Sequence, residues 1–463
     1  MAMGLFLDTS RVILSRVKDL RALTPKRHRV KGKWGYELVG PHLLSPGEAV
    51  LRAATHPKQP PTRMALQHFD ATYSAQLGAL WPSIRVALLS ERKYGALLNH
   101  FAHNLDVEEL QARGCKDFIS NGEAFMFPAS ADHRSEFRPE EDSSSVSTVN
   151  HGGGSQQPSS LRLSPNIRCL VFPRGDVTRF RPARPDKFGL LSYYLLDAAS
   201  ILPCLALDVQ ESHTVLDLCA APGGKALALL QTQSVSECPA LSRSSSNSIQ
   251  SGFLCANDSS VSRTSRLKRV LHSYVPKALL TDDKLRITSF DGTIWGEIER
   301  NSFDRVSSGH PIIFILLLWR HTNLIPASLQ VLVDVPCNTD RHSLMENDNN
   351  IFSRSRIGER RSLPKLQAEL LLAGILAACP GGDVLYSTCT LSANQNQAVV
   401  QQAVQLAEEQ HGIQLQVISL CPLTQMFSNT FHFAPNLHLG EMVIPHLAAN
   451  FGPIYLCKLR RLT

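Results

Sequence analysis

The chain has no C-x-x-C pair, although it holds eleven cysteines. An odd, scattered set of this kind builds neither a disulfide framework nor a structural zinc site, and it fits a reducing compartment. No metal site is expected. No apolar run approaches the ~18 residues of a membrane span; the longest candidate, Ile312 to Trp319, is far too short, so no membrane partner is expected. A G-x-G-x-x-G loop is missing as well, which favours a compact nucleoside cofactor over a dinucleotide. No internal repeat is apparent. At 463 residues and 43% hydrophobic composition, the chain can bury one large enzyme domain and an accessory region.

Net charge is missing from most of the chain too. Residues 1–33 carry nine Lys or Arg against Asp8 and Asp19, a local +7 that equals the formal charge of the whole. The neutral remainder would hold nucleic acid weakly by itself. An Arg-rich, acid-poor start with interspersed Leu, Val and Ile reads as a mitochondrial presequence over 1–25; a basic tail that touches nucleic acid is the alternative. A cut near Pro25 leaves the cluster Lys26 to Lys33, suited to phosphate contacts.

Helical spacing marks residues 26–129 as an N-terminal helical region, with one run from Ala79 to Phe101. A Ser- and Gly-rich stretch, 130–166, is expected to be a flexible linker. A long helix is expected to begin near Leu190. Within 167–463, strand-like runs begin at Thr214, Gly252, Leu285, Val331 and Asp383, with helical runs between them, as at Ser265–Val275 and Leu363–Ala378. This alternation predicts an α/β fold with a parallel sheet covered on both faces, and Pro453–Leu462 is expected to close it as an antiparallel edge strand. Two insertions fit badly. One is 234–251. The other, 307–330, separates Phe303–Val306 from Val331–Cys337 and is expected to be an extruded loop or a retained intron. A peptide spanning the join would confirm the intron.

In open parallel sheets, ligands sit at the carboxyl ends of strands. The first strand ends in Asp217-Leu-Cys-Ala-Ala-Pro-Gly-Gly-Lys225, where Gly223 and Gly224 let backbone amides approach a ligand at a helix N-terminus. Asp258 ends the second strand and suits ribose hydroxyls, or a helix cap. Arg263 either lies over the cofactor or is solvated. Asp291 and Gly292 end the third strand, to bind an adenine amino group or cap a turn. The fourth and fifth end in Asp334-Val-Pro-Cys337 and Ser387-Thr-Cys389. Two cysteines beside a methyl donor suit cytosine C5, a carbon that is not nucleophilic until a thiolate adds to C6. Asp334 would meet the charge that develops at N3. A base that reaches both cysteines has to leave its stack, so a loop or flipped cytosine is the expected target.

These motifs resemble the Nop/Sun family of RNA cytosine-C5 methyltransferases, and the resemblance extends from about Ala65 to Thr463. It implies a Rossmann-like S-adenosylmethionine methyltransferase sheet, with Cys389 as nucleophile and Cys337 assisting product release. Gly223, Gly224, Lys225, Asp258, Arg263, Asp291, Gly292 and Asp334 would contact the cofactor or target base. The phrases Phe69–Leu97, Pro336–Leu344, Asn349–Arg356 and Ala449–Thr463 are similar to the family member that modifies mitochondrial small-subunit ribosomal RNA. That similarity implies the mitochondrial matrix, the ribosomal subunit as partner, and a helical-repeat partner of the mitochondrial termination-factor family. Ala226 replaces a frequent Thr and Asn338 a usual Ser or Thr. A ribosome-assembly factor acting by binding is the alternative. An amino-group methyltransferase would place an aromatic residue where Cys337 stands.

Overall fold

The computed structural model describes residues 59–103, 106–120, 122, 163–234, 252–296 and 329–463. The expected presequence, nearly all of the linker and most of both insertions lie outside the described residues.

The central sheet is built from β5 (Thr214–Asp217), β6 (Phe253–Asn257), β7 (Leu285–Thr288), β8 (Leu329–Asp334), β9 (Asp383–Thr388), β10 (Leu415–Ile418), β11 (Glu441–Val443) and β12 (Ile454–Arg461). Its order is β10-β12-β9-β8-β5-β6-β7, with β11 also on β12. From β7 to β9 the strands are parallel. They read as near-continuous apolar runs because helices cover both faces: Val331, Leu332, Val333, Val384, Leu385 and Tyr386 are all fully buried. The chain leaves β5 toward β6 and β7, then returns to β8 on the other side. That reversal opens a crevice between the ends of β5 and β8.

β12 is antiparallel, as expected, but it does not end the sheet. One side pairs with β9, while β10 and β11 share the other. Its cations explain the position. Lys458 Nζ lies 2.9 Å and Arg460 Nε 2.7 Å from the buried Asp383 carboxylate on β9. Burial raises the Asp383 pKa, but the two cations outweigh it and leave it below the usual value. Asp383→Ala strands buried Lys458, so unfolding free energy should fall by about 3–5 kcal/mol. Urea denaturation at pH 7 checks this. The difference should shrink as pH falls through the folded Asp383 pKa, because the carboxylate's stabilisation is then lost in the wild type too.

The strand that presents Asp334 is whole. Leu329 and Gln330, assigned by sequence to the second insertion, pair with Thr214 and Val215. Phe303–Val306 is not needed to complete it, so Asp334 and Cys337 follow an unbroken ladder.

The N-terminal region is less helical than its spacing suggests. The helices Pro61–Leu77 and Trp81–Leu89 form, but the chain then turns into β1 (Gly95–Leu98). β1 joins β2 (Lys116–Asp117), β3 (Cys169–Val171) and β4 (Tyr193–Leu196) in an antiparallel sheet of order β2-β3-β1-β4. The expected linker therefore connects two parts of one sheet. β4 also replaces most of the helix expected from Leu190; only Leu202–Leu207 is α-helical. A short apolar run fits either period, and pairing of Leu195 with Ala96 and Tyr194 with Leu97 decides it.

Candidate active site

Beyond β5 the chain turns tightly into the helix Gly224–Gln233. Gly223 caps that helix at φ +118°, a left-handed conformation that favours glycine. A Cβ on Gly224 would lie 2.7 Å from Tyr194 Cε1, so the ring of β4 packs directly on the turn. The cavity here is lined by Tyr194, Leu196, Ser200, Asp217, residues 219–222, Gly224, Lys225 and Asp334.

Asp217 is the unexpected member. Neither of its buried carboxylate oxygens has a hydrogen-bond partner, and burial, with Asp334 adding repulsion, pushes its pKa up to about 8. An unpartnered acid and a turn of mostly small residues, Ala220, Ala221 and two glycines among them, fit S-adenosylmethionine, whose ammonium and sulfonium groups are cationic and whose carboxylate suits backbone amides.

Lys225, expected at the cofactor, reaches across to β8. Its Nζ donates to Asp334 Oδ2 at 2.8 Å, while Ser387 Oγ donates to Asp334 Oδ1 at 2.6 Å. Burial lowers the Lys225 pKa, but Asp334 outweighs it and keeps the ammonium protonated. One residue pair thus joins the ends of β5 and β8.

Gly223, Asp258, Arg263, Asp291 and Gly292 lie outside that lining; Gly223 packs against Leu267, whose Cδ1 is 2.9 Å from where a Cβ on the glycine would stand. Asp258 is buried, with Oδ1 accepting the Ser260 amide at 3.1 Å. Arg263 Nη2 sits 3.2 Å from Asp258 Oδ2 and donates to the Ala221 carbonyl at 2.8 Å, clamping the turn to β6. Asp291 caps a short 3-10 helix by accepting from the Thr293 amide and hydroxyl at 3.0 and 2.8 Å. Gly292 packs under Leu370, where a Cβ would sit 2.7 Å from Cδ2. The turn role considered for Asp291 is therefore realised, whereas the helix cap considered for Asp258 falls to Ser260, whose hydroxyl accepts from the Arg263 amide.

The two cysteines meet. Cys337 Sγ and Cys389 Sγ are 3.3 Å apart. The contact with Cys337, then burial, holds the Cys389 thiol well above its usual range, and Lys225 pulls the other way. Beneath them lies Asp340, which sequence reading missed. Its carboxylate accepts from Tyr73 Oη at 2.9 Å, Thr390 Oγ1 at 2.7 Å and the Leu391 amide at 2.8 Å. These bonds bind both cysteine loops to the helix Pro61–Leu77. Burial lifts the Asp340 pKa to about 6 against these three donors. Asn257 was also missed: its side chain donates to Leu218 O and Phe290 O, each at 3.1 Å, and so joins the ends of three strands. A lone Asp three residues after Cys337, and an Asn before Asp258, were the only signals available.

The departures at Ala226 and Asn338 fall in buried surroundings. Ala226 is packed in the core, and the backbone N–H of Asn338 donates to Gln395 Oε1 at 3.1 Å, a bond that does not depend on its side chain.

Comparison with known proteins shows the family. A family model described as 16S rRNA methyltransferase RsmB/F matches residues 204–445. The 5-cytosine rRNA methyltransferase NSUN4 of Bos taurus is 47% identical over 96% of this chain and 95% of its own length. Its Xenopus tropicalis namesake is 44% identical over 97% and 98%. A Mus musculus mitochondrial tRNA (cytosine(34)-C(5))-methyltransferase is 30% identical over 86% and 90%. Among solved structures, one titled PH0851 superposes with a TM-score of 0.52 at 16% identity, covering 88% of this chain and 70% of that one, a likeness of fold. The chain belongs to the RsmB/F (Nop/Sun) family and is an S-adenosylmethionine-dependent RNA cytosine-C5 methyltransferase.

Proposed function

We propose that this enzyme methylates a cytosine of mitochondrial small-subunit ribosomal RNA through a covalent Cys389–C6 adduct, and so takes part in mitochondrial ribosome assembly. The observation that carries the chemistry is the 3.3 Å apposition of Cys337 and Cys389 beside the Lys225–Asp334 pair. The relatives named for ribosomal RNA, and the presequence-like N-terminus, support the target and the matrix location. The neutral chain beyond residue 33 supports a helical-repeat partner of the mitochondrial termination-factor family.

In this mechanism Cys389 gives up its thiol proton and adds to C6 as the thiolate, while a proton passes to N3 by way of Asp334, whose carboxylate Lys225 holds in place. S-adenosylmethionine supplies the methyl that C5 attacks. Loss of the C5 proton then expels Cys389, with Cys337 assisting. Gly224 and Asp217 face the cofactor, while Gly223, Arg263 and Asp258 fix its turn. Asp258 and Asp291, at the neighbouring strand ends, would reach the nucleoside by exchanging the turn bonds they make here, with Gly292 following Asp291.

The test uses purified protein, mitochondrial small-subunit RNA and labelled methyl donor. Label on C5 that vanishes with Cys389→Ala, together with a trapped RNA adduct with Cys337→Ala, is the expected result. The reverse pattern would exchange the two cysteine roles. No label from the wild type with its partner supplied would favour an assembly factor that acts by binding.

A further inference from the structure

The chain beyond residue 33 is neutral overall, yet its cations are not evenly spread. Residues 173–188 (PRGDVTRFRPARPDKF) contain five Lys or Arg against two Asp, a net +3. This loop is fixed to the antiparallel sheet. Tyr193 Oη donates to the Arg181 carbonyl at 2.6 Å, Lys93 Nζ to the Asp176 carbonyl at 2.6 Å, and Phe180 packs on Phe172 with centroids 4.9 Å apart. Arg181 and Arg184 share the single carboxylate of Glu109, which leaves a cationic surplus.

Beside the loop lies a groove of about 620 Å³ whose walls carry Arg92, Tyr94, Arg179, Phe180 and Arg341 together with Glu91, which pairs with Arg179, and Glu346. Exposed Arg92 has no ion-pair partner among the described residues, and its guanidinium sits 4.6 Å above the Tyr94 ring. Arg341 is buried at the base, held by Gly452 O at 3.1 Å and Asn450 Oδ1 at 2.8 Å. The groove starts one residue after Asp340, whose amide donates to the Cys389 carbonyl at 3.3 Å. The groove lining has three Arg against two Glu, and the adjoining loop, Arg179 included, carries a net +3. Guanidinium and aromatic faces interleaved along this surface suit phosphates with unstacked bases between them, which only a single strand offers.

We propose that this groove and the 173–188 loop hold a single-stranded stretch of the substrate RNA next to the target cytosine. Arg92 takes a phosphate, Arg179 takes a second through the guanidinium nitrogens beyond the Nε that Glu91 holds, and a base stacks at Tyr94 and Phe180. This deepens the proposed function and rests on it only for RNA as substrate, whichever cytosine is modified.

The test is fluorescence anisotropy of a labelled single-stranded oligoribonucleotide on the full chain saturated with S-adenosylhomocysteine, at several salt concentrations. It needs no turnover, so failure of the methylation assay and failure of this inference are separate results. For Arg92→Glu with Arg179→Glu, the log–log salt slope should fall by about 1.4, the share of two single-strand phosphates. Tyr94→Ala should weaken binding about tenfold with the slope unchanged. The same charge reversal at exposed Lys268 and Arg269, on the helix Val261–Tyr274, should leave the slope within about 0.3 of wild type. Equal losses from both pairs, loss from neither, or no RNA binding by the wild type would each overturn the proposal. Should the double reversal fail to fold, Arg92→Ala and Arg179→Ala singly carry the same test, each with a slope change of about 0.7.

Discussion

Replacing Asp334 by Asn should lower kcat/KM for RNA methylation about a thousandfold, within the range for loss of a positioned acid–base group. Cofactor affinity should move by less than about tenfold, because Asp334 is only one wall of that cavity. The carboxylate accepts from two sides, Lys225 at 2.8 Å and Ser387 at 2.6 Å. An amide can keep one of these bonds through its oxygen but turns a second donor toward the other. It also leaves the Lys225 ammonium, with 14% of its side chain exposed, without its counter-charge. Stability should therefore fall as well, by roughly 2 kcal/mol, less than for a fully buried pair because Asp334 is 28% exposed. Lys225→Met should cost a similar amount. The double variant should be more stable than either single one, since no lone charge remains. Turnover, isothermal titration with S-adenosylhomocysteine and urea melts on the three variants separate these effects. Additive stability losses would show that the two groups act independently and would remove Lys225 from the catalytic argument.

The parts of this site that the sequence made legible share one property: local pattern and function coincide. β5 to β9 are apolar runs that each stop at a polar residue, so Asp217, Asp258, Asp334 and Cys389 were placed at or next to strand ends before their neighbours were known. Glycines 223 and 224 announced the turn for the same reason. Cys337 and Cys389 lie 52 residues apart, and their meeting followed from β8 and β9 being parallel neighbours.

What stayed illegible depends on pairing at long range. Tyr194 belongs to a strand only because β1 lies beside it, and its contact with Gly224 crosses between the two sheets. Tyr73 looks like an ordinary apolar helix position, although its hydroxyl reaches Asp340, 267 residues away. Lys225 lines the cavity, as its place in the glycine turn suggests, but its length also lets it reach Asp334 on β8, which that place does not announce. β12 was assigned to an edge because it comes last in the chain, whereas chain order does not fix sheet order. A net charge summed over the chain also hid the cations of residues 173–188.

Asp217→Asn should give the largest change in pH dependence. The folded pKa of about 8 stands above the ordinary 3.8, because the carboxylate is buried without partners and faces Asp334. The folded cofactor-free chain thus binds more protons than the unfolded chain between about pH 4 and 8, and its stability falls as pH rises through that window. At pH 7 the Asn variant should be more stable than the wild type by on the order of 3–4 kcal/mol, and its melting temperature should lose most of its slope between pH 5 and 8. Cofactor binding should run the other way. A cationic ligand favours the ionised acid, so wild-type affinity for S-adenosylmethionine should climb with pH and level off above about 8, with proton release below that point. In the Asn variant the affinity should be weaker and nearly flat with pH. Thermal melts of the cofactor-free protein and titration calorimetry in two buffers of different ionisation enthalpy measure both halves. A wild-type affinity that does not change between pH 6 and 8 would mean that Asp217 is already ionised without the cofactor. The opposite signs carry the argument: a buried acid that only filled space would leave cofactor affinity untouched, while one kept destabilised for a cation gains stability and loses affinity in the same substitution.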